Sequence, residues 1–173
     1  ILGSTLNQSE GYWLRFDNSG TTTITGTPID ELTISLSEGW NLVSGLHFDL
    51  SIYSINDSDS TIVPSTLFGF SDAYFLTEEL VPGKGYWLRA FQDGEVTITG
   101  DGLARVTPQD FSLNGKANTL TVNGIDLYFG IEMSPRERLS YSLPPKPPSG
   151  AYDVRFKDGW RAVKDYGEIE VLN

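Results

Sequence analysis

His47, in Leu46-His47-Phe48-Asp49, is the only imidazole of the chain. A Ser-His-Asp hydrolase would have to use it as base, with Asp49, Asp72 or another Asp as orienter. The Gly-x-Ser-x-Gly turn that lifts a nucleophile clear of a strand occurs nowhere. A lone His on a strand is more often structural or simply exposed, so His47 is given no catalytic role. One His and no Cys also exclude a three-His zinc site, a thiolate nucleophile and a disulfide framework. Glycoside hydrolysis needs two carboxylates at a set separation, and 23 acids supply too many pairs to choose among. No active site is legible, no catalytic residue is assigned, and no cofactor is expected.

Ligand chemistry has two candidates. Asn56-Asp57-Ser58-Asp59-Ser60 alternates oxygen side chains, which a calcium ion would accept. Counted from Asp57, the Gly and bidentate Glu of an EF-hand loop are replaced by Ile62 and Phe68. Asp57 and Asp59 remain weak calcium candidates, and a solvated loop is the preferred reading. The second candidate is aromatic. Gly11-Tyr12-Trp13-Leu14-Arg15 recurs as Gly85-Tyr86-Trp87-Leu88-Arg89, and on a strand Trp87 and Arg89 share one face. With Trp40 they could form a flat platform on which the C–H face of a sugar ring stacks. The preferred reading is that Trp13 and Trp87 are core anchors, since an aromatic contributes most when buried. Trp160, after Asp158-Gly159, is expected to be the most exposed indole and the best ligand contact.

Charge narrows the partners. The chain of 173 residues has a formal net charge of −11, unsuited to phosphate backbones or anionic bilayers. No apolar run approaches the roughly 20 residues of a spanning helix, so membrane insertion is not expected. Residues 1–100 hold 13 acids and 3 bases, and residues 101–173 hold 10 and 9. The excess therefore sits in the first part, which suggests two modules meeting near Gly100-Asp101-Gly102.

The repeat sharpens that division. Residues 11–26 match residues 85–100 at ten of sixteen positions without a gap, an offset of 74. That spacing is longer than solenoid periods of about 20–50 residues, so it marks a duplicated unit. Residues 1–26 read as the tail of one unit, 27–100 as a complete one, and 101–173 as a different module. An alternative is that Ile1–Gly26 supplies strands to the complete unit's sheet. The chain starts at Ile1 without a basic n-region and apolar h-region, and it reads as part of a longer polypeptide.

The elements that must position these residues are strands. Period-2 patterning predicts strands over 31–36, 40–44, 86–91 and 95–99, then 117–122, 126–131, 152–156 and 169–172. Asp93-Gly94, Asn123-Gly124 and Asp158-Gly159 predict hairpins, with Asp17-Asn18-Ser19-Gly20 making the first copy's connection. Within residues 1–100 a short helix is conceivable only around 65–70. Pro144-Pro145-Lys146-Pro147-Pro148 cannot donate backbone hydrogen bonds and must run extended, outside any central strand. The expected fold class is all-β, as antiparallel β-sandwich-like modules.

Gly39-Trp40-Asn41-Leu42-Val43-Ser44, Pro82-Gly83-Lys84-Gly85-Tyr86-Trp87-Leu88 and Val96-Thr97-Ile98-Thr99-Gly100 resemble a repeat module of large secreted proteins of Bacteroidetes-related bacteria. Leu127-Tyr128-Phe129-Gly130 and the run from Leu143 to Phe156 resemble an accessory module of such proteins, one that commonly precedes a C-terminal sorting domain. The resemblance implies export, an extracellular or cell-surface location and a non-catalytic accessory role as spacer or adhesion module. Its expected partners are neighbouring domains of a longer polypeptide. The alternative is a carbohydrate-binding module meeting a polysaccharide through Trp160, Trp87, Arg89 and Trp40.

Overall fold

The computed structural model describes residues 6–14, 17–21, 23, 25–100, 111–113 and 115–172. Arg15 and Ile24 of the first repeat copy, and the expected boundary where it enters residues 101–110, lie outside the described residues. The first part of the chain forms β1 (Glu31–Leu36), β2 (Gly39–Ser44), β3 (Leu50–Ser51), β4 (Phe68–Phe70), β5 (Tyr74–Leu76), β6 (Glu79–Leu80), β7 (Gly85–Ala90) and β8 (Gly94–Thr99). After it come β9 (Asn118–Val122), β10 (Ile125–Phe129), α1 (Pro135–Leu139), β11 (Asp153–Phe156), β12 (Ala162–Val163) and β13 (Ile169–Leu172). The fold is all-β and sandwich-like, and among the described residues the strands pair antiparallel except for the parallel pair β10–β12.

The β1–β2 segment runs against β7–β8 as one long ribbon. Glu31↔Thr99 to Leu36↔Gly94 pair in one sheet, and Gly39↔Ala90 to Ser44↔Gly85 pair in the next. Between them residues 37–38 face residues 91–93, so one strand carries an extra residue. Such a bulge bends the ribbon and passes it between sheets. The bend is held by side chains: the Glu38 N–H donates to Asp93 Oδ1 at 2.7 Å, and Asn41 Nδ2 donates to the Ser37 carbonyl at 2.8 Å. Asp93-Gly94 is therefore a corner, which corrects the expected hairpin. A two-residue I′ turn needs positive φ at both central residues, and Gly94 lacks it. Asn123 (φ 49°) and Gly124 (φ 82°) have it, and they do join β9 to β10 with Val122 opposite Ile125.

Alternation decides which face is buried. Tyr86, Leu88 and Ala90 of β7 join Val96 and Ile98 of β8, Ile34 and Leu36 of β1, and Val43 of β2 in one core. Trp87 and Arg89 point the other way and are half-buried. Trp13 is 45% exposed. Neither indole is a core anchor; the Tyr and Leu of the repeated motif take the buried positions of its complete copy. The short helix around 65–70 is also corrected. Ser65 (φ 57°) turns the chain and Phe68–Phe70 becomes β4, because β5 and β7 offer it strand partners on both sides.

No strand forms among the described residues of the first copy. It joins the edge of β2 instead. Glu10 bridges Val43, the Gly11 N–H donates to the Leu42 carbonyl at 2.9 Å, and the Ser44 N–H donates to the Ser9 carbonyl at 3.0 Å.

Residues 113–163 supply two further cores. Leu127 and Tyr128, neighbours on β10, face opposite ways into clusters with Val154 and Phe156 on one side and Leu113 and Ala162 on the other. α1 was not anticipated, although Ser134-Pro135-Arg136-Glu137 spells a capping box with Pro at its first turn.

Candidate functional site

The outer face of the β2–β7–β4–β5 sheet carries a ladder of five aromatic rings in edge-to-face contact. Trp40 meets Phe68 at 5.9 Å between centroids, Phe68 meets Tyr74 at 6.5 Å, Tyr74 meets Phe70 at 5.5 Å, and Phe70 meets Trp13 at 4.8 Å. Cross-strand register assembles it. Trp40 lies opposite Arg89, Trp87 opposite Leu42 and Phe68, and Phe70 opposite Tyr74. Edge-to-face geometry sets the positive ring edge against the negative ring face, so the ladder is attractive beyond its burial.

The middle of the ladder touches the second part of the chain. Trp87 Nε1–H donates to the Tyr74 hydroxyl at 3.1 Å, and that hydroxyl donates to the Pro145 carbonyl at 3.0 Å. Burial pushes the Tyr74 phenol up from its ordinary value, against the indole N–H and Arg155, which favour the anion. Nearby, the Arg136 guanidinium lies 3.6 Å from the Phe91 ring centroid.

At its Trp40 end the ladder opens into a groove of about 410 Å³. Trp40 and Arg89 form one wall, and Pro144–Lys146, Arg155, Trp160 and Glu170 form the other. Arg89 sits over the Trp40 ring at 5.6 Å, and burial pulls its guanidinium below the ordinary value, opposed by Glu38. Arg155 is 2% exposed, an extreme for this residue type. Its Nε is paired with Asp153, its Nη1 donates to the Pro144 carbonyl at 2.8 Å, and its Nη2 has no hydrogen-bond partner. Lys146 reaches Glu170 at 2.8 Å and holds that carboxyl below the usual range. At the Trp13 end a smaller pocket of about 280 Å³ is lined by Tyr12, Leu14, Phe75 and Lys84.

No family model, curated protein or solved structure matches the chain.

The residues singled out in the sequence fall in three places. Trp40, Arg89 and Trp160 meet around the groove, while Trp87 stands one rung away with its N–H engaged by Tyr74. Trp160 is half-buried, not the most exposed indole, because it packs on the Val154–Phe156 cluster with the Arg138 guanidinium 3.9 Å from its ring. That position belongs to Trp13.

Asp57 turns both carboxylate oxygens inward, accepting the Thr61 and Ile62 N–H groups at 2.8 Å each, and Asp59 accepts the Ser58 hydroxyl. The loop is closed by its own backbone. Among the described residues no group of three or more His, Asp or Glu could hold a metal. His47 contacts the Ile29 carbonyl at 3.1 Å, Asp30 at 3.9 Å and the Phe48 ring, with neither Asp49 nor Asp72 as orienter.

Sequence reasoning missed Phe68, Phe70, Tyr74 and Arg155. Phe68-Gly69-Phe70 carries a period-2 aromatic signal, and Asp153-Val154-Arg155 sets opposite charges two apart on one strand face.

Proposed function

We propose that this chain is a non-catalytic structural region of an exported or cell-surface bacterial protein, a spacer whose repeat unit seats the module that follows it. The observation that carries the reading is the Trp87–Tyr74–Pro145 hydrogen-bond chain. An indole N–H and a phenol O–H on a half-buried face need partners, and the carbonyl of a proline segment that runs outside the strand ladders is an open acceptor. The aromatic face is thereby used to fix orientation, which is what a rigid spacer requires. The motif resemblance supports the exported setting. Scattering and calorimetry on the intact chain test the reading: one unfolding transition and a particle size independent of ionic strength are expected. Two separate transitions with an expanded, variable particle would overturn it.

A second reading, carbohydrate binding, is favoured by the 45% exposure of Trp13 and 44% of Phe75 beside one pocket. Retardation on neutral polysaccharide gels, abolished by Trp13→Ala, is its expected signature; migration unaffected by every polysaccharide would remove it.

A further inference from the structure

The groove beside Trp40 has a charge balance opposite to that of the chain. Four cationic and two acidic side chains line it, whereas the whole protein carries 12 bases and 23 acids. Two of those cations are incompletely satisfied. Arg89 Nε is buried without an acceptor, and among the described residues no carboxylate forms an ion pair with Arg89. Arg155, 2% exposed on the facing wall, leaves Nη2 without an acceptor. Buried donors are nearly always matched, and the Arg89 and Arg155 side chains, each with one unmatched nitrogen, stand on the two walls of one groove, which favours an acceptor between them. The acid opposite Arg155 on β13 is Glu170, and it is already held by Lys146 at 2.8 Å.

The groove also supplies flat apolar surface. Trp40 lines one wall with Arg89 over its ring, and Trp160 lines the other. A volume of 410 Å³ falls within the range of about 300–1,000 Å³ found for small-molecule sites. A guanidinium fork matches a carboxylate, and an indole matches the C–H face of a pyranose.

We propose that this groove binds a uronate residue of an acidic polysaccharide, its carboxylate between Arg89 and Arg155 and its ring against Trp40. The site goes beyond the spacer reading, and it needs the two walls seated as the Trp87–Tyr74–Pro145 chain seats them.

The test uses the intact chain with oligomers of galacturonate, glucuronate and mannuronate, their carboxyl-reduced counterparts, and a peptide ending in a free carboxylate. Calorimetric titration and indole fluorescence are the readouts. At least one oligouronate binds at low salt and binds several-fold more weakly at about 0.5 M salt, where charges are screened within about 3–5 Å. Its reduced form and the peptide bind at least about tenfold more weakly. Arg89→Gln, folded by the same melting curve, loses about tenfold or more, and Arg89→Lys, with charge but no fork, regains only part. Absence of binding by all three oligouronates overturns the proposal. So does equal binding of the reduced oligomer or the peptide, or an unchanged affinity in Arg89→Gln. A single unfolding transition without binding would sink the groove site alone; separate transitions would sink the spacer reading with it.

Discussion

Strand alternation gives each residue of a short motif a different fate. In Tyr86-Trp87-Leu88-Arg89 the first and third side chains enter the core, and the second and fourth face the ladder and the groove. That two-way division was readable from spacing; which of the faces would be buried was not. Tyr53 shows how one residue's surroundings become measurable. Its hydroxyl donates to Glu78 at 2.7 Å, and burial, reinforced by that carboxylate, pushes the phenol up to about 12. Because the folded state then holds the proton more tightly than the unfolded one, the contribution is complete below about pH 10 and is lost as pH rises through about 12. Tyr53→Phe is expected to flatten the fall in urea midpoint across that window. Part of the slope should remain, since the Tyr74 phenol is also shifted upward. A variant with an undiminished slope would show that Tyr53 does not contribute.

Elements are decided by pairing partners more than by local propensity. Phe68–Phe70 is three residues long and becomes a strand because β5 and β7 flank it. The β2–β7 corner bends because one strand has an extra residue, a property of two segments about fifty positions apart. The edge of β2 supplies a test. A Cβ on Gly11 would lie 2.8 Å from Leu42 Cγ and 2.9 Å from the Val43 carbonyl oxygen, with the Gly85 backbone 3.3 Å away. Backbone cannot yield as a side-chain tip can, so Gly11→Ala is expected to lift residues 9–11 off β2. The Ser44 N–H, which donates to Ser9, should then exchange with solvent about tenfold faster, while Leu88 in the core keeps its protection. Equal protection in parent and variant would mean that the edge pairing is not what shields Ser44.

For the whole molecule, orientation rests on a few polar atoms. Tyr74→Phe removes the acceptor of the Trp87 N–H and the donor to Pro145 together. Losing these two bonds is expected to cost about 1–2 kcal/mol, a fall in melting temperature of about 2–8 °C for a protein of this size. The transition should also broaden as the two parts of the chain begin to unfold separately. A melting curve identical to the parent's would show that the hydroxyl does not hold the seam.

Composition, period-2 alternation and turn chemistry determined by themselves that this protein is built of strands and that Asn123-Gly124 closes a hairpin. Those properties depend on residues close in sequence, whose sterics act before any core exists. Only the tertiary structure decided that Asp93-Gly94 is a corner, that Trp13 is the exposed indole, and that Trp40, Arg89, Arg155 and Trp160 share a groove. Those facts depend on which strands meet across long loops and which faces they bury, and hydrophobic burial, being non-directional, is settled only when the whole chain packs.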